Sequence, residues 1–297
     1  MLSVVITCYK EGKLLYDAYK SLQAQTDKDF EIIIINDKSP DEETNRICSE
    51  LSNEEGVRVL VHEVNGGLAQ ARKTGYKAMT GTICVPLDAD DTLPPNAIAD
   101  IKKVFKQHPE AGFIFGNYWK VDIATGEKEL VNTSVIADDF NKINVPRLAA
   151  NWILLGTSPC KKEVFEDIGG ASQQFSYDID DMDFWIKVMK KGYVGYHLNE
   201  PIYTWNRQVT GMNFNLKGAK MLELFKTHSD FFIEHGAASG FQPVVYGPFL
   251  KAGDWEGCKS AIHEMENLGI QVGKYKLLRY VPNFVLKCIY RLFKSFK

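Results

Sequence analysis

An apolar run, Ile83-Cys84-Val85-Pro86-Leu87, ends in Asp88-Ala89-Asp90-Asp91, three carboxylates within four positions. Carboxylates so placed repel one another and raise each other's pKa unless a cation lies between them. A hard divalent ion shared with phosphate oxygens would satisfy them. Asp88 and Asp90 lie two apart and project to the same side while the chain stays extended. The same residues also suit an acidic loop capping a helix that starts near Pro94, with Asp91 or Thr92 as N-cap.

Two further acidic stations flank this one. Asp37, in Asn36-Asp37-Lys38-Ser39-Pro40-Asp41, could accept a hydrogen bond from a pyrimidine N–H, or as a loop Asp form an Asx-turn with Ser39. Asp178, Asp180, Asp181 and Asp183 gather before an apolar segment containing Trp185. A helix starting near Asp180 places Asp181 and Trp185 on one face and Asp180 with Asp183 on another. Such a group can supply a general base. It also suits a helix N-terminus whatever its function, because the dipole favours negative charge there.

These stations need elements to hold them. The β-branched runs at residues 3–8, 30–35 and 57–61, and the run before Asp88, read as buried strands. Helical patterns follow the first and third, through Leu14, Leu15, Ala18 and Leu22, and through Leu68, Ala71 and Ala78. Alternating strands and helices imply a mostly parallel sheet covered on both faces. Ligands bind such sheets outside the carboxyl ends of the strands. Tyr9, Asp37, Asn65 to Gly67 and Asp88 to Asp91 are therefore expected around one crevice. Cys8-Tyr9-Lys10-Glu11-Gly12-Lys13 after the first strand is neither a G-x-G-x-x-G dinucleotide turn nor a P-loop. The same loop lacks the Gly-rich, Arg-containing form of a sugar-phosphate nucleotidyltransferase.

In order and spacing these pieces resemble the family 2 glycosyltransferases of the GT-A type, inverting enzymes that use nucleotide-diphosphate sugars. Ser3 to Lys10 matches the opening strand, Asn36 to Asp41 the D-x-S-x-D loop, Asn65 to Arg72 the N-x-G-x-x-x-A-R segment, and Leu87 to Asp91 the D-x-D metal site. Val164 to Gly170 followed by Asp180 to Lys187 resembles the segment carrying the catalytic base, E-D-x-D-x-W. Together they span roughly residues 3 to 207. The resemblance implies Asp181 as general base and nucleotide or donor contacts from Thr7, Tyr9, Asp37, Asn65, Arg72, Asp88 and Arg207. It implies Asp90 as ligand to Mn²⁺ or Mg²⁺, with Asp91, Asp180 and Asp183 in support. Lys161 and Lys162 follow a loop, Gly156 to Pro159, similar to one lining the donor-sugar and acceptor pockets; solvated lysines opening a helix are the other reading. Thr7, Lys10, Lys38, Lys73 and Asp180 stand where the family usually has Pro, Asn, Gly, Asn and Glu. None of these removes a group essential to the chemistry.

The expected fold is thus α/β, a Rossmann-like mixed, mostly parallel GT-A sheet over 1–213, with a helical C-terminal extension over 214–297. The implied donor is a UDP-sugar carrying a hexosyl or N-acetylhexosaminyl group, and the acceptor a glycan or lipid-linked hydroxyl, as in polysaccharide or glycoconjugate assembly. A non-catalytic nucleotide-sugar-binding scaffold that kept the fold is the alternative. At 297 residues, 45% hydrophobic and 25% charged, the composition is that of an ordinary globular protein. A formal charge of -3 carries no nucleic-acid signal. Six scattered cysteines without C-x-x-C read as reduced thiols of a cytoplasmic protein. The opening Met1 to Ile6 lacks a basic n-region, so it reads as a strand and no signal peptide is expected. No apolar stretch approaches the ~20 residues of a membrane-spanning helix. His62, His108 and His197 have no partner at metal-ligand spacing and read as structural or surface residues.

Past about residue 213 the pattern turns helical. Met221, Leu222, Leu224, Phe225, Phe232 and Ile233 suit one helix, and Ala261, Ile262, Met265 and Leu268 another. Residues 274–297 hold seven Lys or Arg and no Asp or Glu, with Val281, Val285, Ile289, Leu292, Phe293 and Phe296 at helical spacing. A basic amphipathic helix suits an anionic membrane surface, here the inner face of the membrane. A helix docked on the catalytic domain is the competing reading.

Overall fold

The structure, a computed structural model, describes residues 1–175, 179–207 and 218–282. Its core is built by apolar strands. Chain order gives β1 (Leu2–Cys8), α1 (Lys13–Gln23), β2 (Phe30–Asn36), α2 (Glu42–Leu51), β3 (Val57–Val61), α3 (Leu68–Ala78), β4 (Ile83–Asp88) and α4 (Ala97–Gln107). There follow β5 (Ala111–Asp122), β6 (Lys128–Val131), α5 (Val145–Ala150), β7 (Cys160–Lys161), α6 (Lys162–Ile168), α7 (Asp180–Lys190) and β8 (Val194–Arg207). The sheet order is β3-β2-β1-β4-β7-β5-β6, with β8 paired to β5. β1 to β4 run parallel, as do β5 and β8, while β6 and β7 are antiparallel insertions. Every residue of β1 is buried, because helices cover both faces of the sheet.

The helices sit where their apolar stripes require. Leu15, Ala18, Tyr19 and Leu22 of α1 and Ile98, Ile101, Val104 and Phe105 of α4 turn inward. α3 approaches β1 more closely than a side chain would permit. A Cβ on Gly75 would lie 2.2 Å from Val5 Cγ1, so glycine there sets the seat of the helix carrying Arg72.

The described residues divide into two compact units, one drawn from Met1–Ile143 and Leu154–Gly211, the other from Asn144–Ile153 and Met212–Lys297. Asn144–Ile153 thus group with the later helices, although they lie inside the span 1–213 expected for the first domain. In the second unit α5 packs on α10 (Ala238–Ala252), which also contacts α8 (Gly218–Thr227), α9 (Ser229–Glu234) and α11 (Trp255–Asn267). Phe225, Phe232 and Phe241 stack at its centre, with ring centroids of Phe232 and Phe241 4.4 Å apart.

Several readings of the sequence change or are extended here. The apolar residues from Met221 to Ile233 form two helices, α8 and α9, broken at His228. α10 escaped the periodicity reading because it carries Pro243 and Pro248 and is apolar on several faces. The helix expected near Pro94 begins at Ala97 with Asn96 at its N-cap position, so neither Asp91 nor Thr92 caps it. Gly273–Arg279 is a 3₁₀ helix. From residue 283 the basic amphipathic segment expected over 274–297 lies outside the described residues.

Candidate active site

Parallel pairing continues sideways past the strand ends and lines up the loops that carry the acidic stations. The Asp37 N–H donates to Cys8 O (2.9 Å), the His62 N–H to Asn36 O (2.9 Å) and the Ala89 N–H to Thr7 O (3.2 Å). The residues leaving β1, β2, β3 and β4 therefore stand side by side, though far apart in sequence.

Asp37 is the hub of the loops that follow β2 and β3. Its Oδ1 accepts from Gly66 N–H (2.8 Å) and His62 Nδ1 (2.6 Å), and its Oδ2 from Gly67 N–H (2.6 Å). Asn65 Nδ2 donates to its carbonyl (3.2 Å). Gly67, at φ +79°, bends the chain into α3 in a conformation that favours glycine. Ser39 donates its N–H to Asn36 Oδ1, not to Asp37, so the Asx-turn alternative for Asp37 is not formed. Asp41 instead caps α2, accepting from the Thr44 N–H (2.8 Å).

Arg72 joins the second station to the third. Its Nη2 donates to Asp88 Oδ1 (2.9 Å) and Oδ2 (3.2 Å), and its Nη1 stands 3.9 Å from Asp180 Oδ2. Burial opposes the guanidinium charge most strongly, yet Asp88 and then Asp180 outweigh it and raise the pKa further. Thr7 Oγ1 donates weakly to Asp88 Oδ1 (3.4 Å).

The acidic turn is tied to β8. Tyr203 OH donates to Asp91 Oδ2 (2.7 Å) and accepts from the Asp88 N–H (3.3 Å). Asn206 gives its backbone N–H to Asp91 Oδ1 (2.7 Å) and its side chain to Asp90 O (2.8 Å). Both oxygens of Asp91 are thereby used to hold the turn, and burial lifts its pKa well above the usual range. Asp90 is pushed up to about 6 by burial, with Asp88 and Glu11 adding. Glu11 itself, raised by burial, accepts from the Tyr9 and Lys10 N–H groups and so places an additional carboxylate near Asp88 and Asp90. Tyr9 keeps a half-buried ring with Lys10 Nζ 5.0 Å from its centroid. Arg207 ends β8 one residue past Asn206, its carbonyl accepting from Ile123 N–H (3.3 Å).

At the head of α7, Asp181 is part-buried and lines a small cavity together with Arg72, Tyr76, Gly156, Phe165, Asp180 and Phe184. Burial pushes its pKa up to about 6, and Asp180 adds to the rise while Arg72 opposes it. Asp180 is also raised, by burial first. A Cβ on Gly156 would meet Asp181 Cβ at 2.7 Å, so this glycine makes room for the carboxylate. Trp185, fully buried one turn along, donates Nε1–H to Leu155 O (3.0 Å) and pins the loop that carries Gly156. Asp183 is buried and holds Ser172 N–H (2.6 Å) and Lys187 Nζ (2.9 Å), so it supports the neighbouring loop and is closed to an incoming hydroxyl. Asp178 lies outside the described residues.

No cluster of three or more His, Cys, Asp or Glu suited to a metal occurs among the described residues. The acidic turn still fits an ion of the kind that takes one protein carboxylate and completes its shell with phosphates and water. In that turn Asp88 is bonded by Arg72 and Asp91 by Tyr203 and Asn206, while Asp90 holds the place of the metal ligand that the D-x-D resemblance implies. Lys161 and Lys162 are elsewhere. β7 pairs with the amino end of β4, and the two lysines line a cleft there with Leu2, Ile83 and Lys102. They open α6 as the alternative reading had it, but they are part-buried and their Nζ atoms donate to Pro109 O and Met79 O.

His62, Tyr203, Asn206 and Glu11 were missed by sequence reasoning. Tyr203 and Asn206 lie within four residues of Arg207, and Glu11 is two residues from Tyr9. For His62 the signal was its place directly after β3, beside the strand that delivers Asp37.

The profile of glycosyl transferase family 2 matches residues 3–167, and the chain belongs to that family. An uncharacterised glycosyltransferase of Haemophilus influenzae is 29% identical over 206 residues, 68% of this chain and 67% of its own length. Glycosyltransferase GlyG of Streptococcus pneumoniae is 26% identical over 246 residues, 76% of this chain and 78% of GlyG. In fold the chain is similar to residues 1–349 of S. aureus TarS in complex with UDP, with a TM-score of 0.70, 14% identity, and coverage of 100% of this chain and 92% of that one. The TarS complex with UDP-GlcNAc gives 0.68 at 15% identity, over 98% and 91% of the two chains. The mixed, mostly parallel sheet flanked by helices is accordingly a GT-A glycosyltransferase fold.

Proposed function

We propose that the chain transfers a hexosyl or N-acetylhexosaminyl group, with inversion, from a UDP-sugar to a hydroxyl of a glycan or lipid-linked acceptor. The observation that carries this reading is Arg72, which spans from Asp88 (2.9 Å) to Asp180 (3.9 Å) and so joins a donor-binding turn to the residue next to the candidate base Asp181. Tyr9 and Asp37 would hold the uracil, and Asp88 the ribose or donor sugar. A divalent ion, Mn²⁺ or Mg²⁺, held by Asp90 would neutralise charge on the departing diphosphate. Asp181 takes the acceptor's hydroxyl proton as that oxygen attacks C1. The bond from C1 to the diphosphate oxygen breaks on the opposite face, so an α-linked donor yields a β-linked product. UDP complexes of a fold neighbour support the choice of nucleotide.

A UDP-release assay with UDP-glucose, UDP-galactose and their N-acetyl forms, in Mn²⁺, tests the reading. One donor should turn over or hydrolyse slowly. Silence with every donor would favour the second reading, a nucleotide-sugar-binding scaffold.

The basic residues of 274–297 support a peripheral site on the cytoplasmic face of an anionic membrane. Reversing Lys287, Arg291, Lys294 and Lys297 to Glu should abolish co-sedimentation with phosphatidylserine vesicles. Equal pelleting would exclude the membrane role.

A further inference from the structure

His62 has no task in the transfer reaction, yet its surroundings are built. Its side chain is 15% exposed, and both ring nitrogens are engaged: Nδ1 at 2.6 Å from Asp37 Oδ1 and Nε2 at 2.8 Å from Thr74 Oγ1. Thr74 belongs to α3, so its hydroxyl ties the far end of the ring to that helix; with the proton of a neutral ring on Nδ1, Nε2 accepts the Thr74 hydroxyl proton. An ionised carboxylate only accepts, so Nδ1 carries the proton that Asp37 receives.

A carboxylate offers about four acceptor positions. At Asp37, Oδ1 is filled by His62 and Gly66, and Oδ2 takes Gly67, which leaves one position, on Oδ2. We infer that His62, braced by Thr74, is a positioning residue that fixes the Asp37 carboxylate so that this one remaining position reads the imide N–H of a uracil base. The inference rests on the UDP-sugar reading. Uracil carries a proton on N3 and cytosine carries a lone pair there, so a fixed acceptor favours UDP over CDP. With the ring removed, Oδ1 regains a vacant acceptor position and the carboxylate loses its brace in the ring plane. The base contact then weakens and discrimination falls with it.

Calorimetric titration of the full chain with UDP and with CDP tests this. Wild type should prefer UDP. His62→Ala should weaken UDP about tenfold, or ~1.4 kcal/mol, and leave CDP nearly unchanged. Turnover at saturating donor should stay within about twofold. His62→Asn, whose Nδ2 can replace the Nδ1 donor, should recover most of the preference. Thr74→Val, which removes only the brace, should lose part of it, and it carries the test should His62→Ala fail to fold by thermal melting. An unchanged UDP-to-CDP ratio in His62→Ala or, failing that, in Thr74→Val would overturn the inference if Asp37→Asn still loses it. A wild-type protein with no preference for UDP would instead overturn the donor reading, and the inference with it.

Discussion

Asp181 can act as a base only when ionised, and its surroundings make ionisation costly. Burial and Asp180 push it up to about 6 against the pull of Arg72. Donor-saturated transfer should therefore rise with pH through about 6 and level off above it, and a pH–rate profile checks this. The same shift bears on stability. Between the unfolded carboxyl's ordinary pKa and about 6, the native state binds the extra proton, so stability falls as pH rises through that window. Asp181→Asn should consequently melt a few degrees above wild type at pH 7.5 and level with it near pH 4, while losing transfer. Gly156→Ala, with no place for its Cβ beside Asp181, should lower kcat about tenfold or more and leave UDP affinity intact. Asp181, Asp88 and Arg72 were legible in the sequence because motif spacing marks them. His62 was not, because its partner Asp37 stands 25 positions away and meets it only through β2–β3 pairing.

β1 to β4 were readable from their apolar runs, and their carboxyl ends from the alternation of strand and helix, while β5 to β8 were not read. What lies between strand ends was less readable, because it depends on backbone conformation and on partners distant in sequence. Lys38 stands where the family usually has Gly, and its φ of +56° shows the cost of that exchange, since a side chain in the left-handed region is strained. Lys38→Gly should raise stability by about 0.5 kcal/mol, the strain relieved less the added freedom of the unfolded chain, measured by urea titration. β8 likewise has a role its own pattern does not announce. Tyr203 and Asn206 bond the acidic turn across more than a hundred residues of sequence. Tyr203→Phe should leave Asp91 short of one buried hydrogen bond and lower stability by ~1–3 kcal/mol.

Across the whole chain the two compact units differ in how they were legible. The first rests on alternating apolar strands whose order fixes the crevice. The second depends on helix packing around Phe225, Phe232 and Phe241, and one of its helices, α5, lies within the sequence of the first. No helix among the described residues is long and apolar enough to cross a membrane. The candidate residues gather at the four strand ends and the head of α7, where the proposed nucleotide, diphosphate and acceptor would meet. The most direct test of that arrangement compares wild type with Asp181→Asn by UDP affinity and by UDP release from the donor that wild type turns over. UDP should bind the two proteins equally, within about twofold, and release should fall at least a thousandfold in the variant, a loss on the order of that expected of a general base. Wild-type release by Asp181→Asn would contradict the assignment of the base.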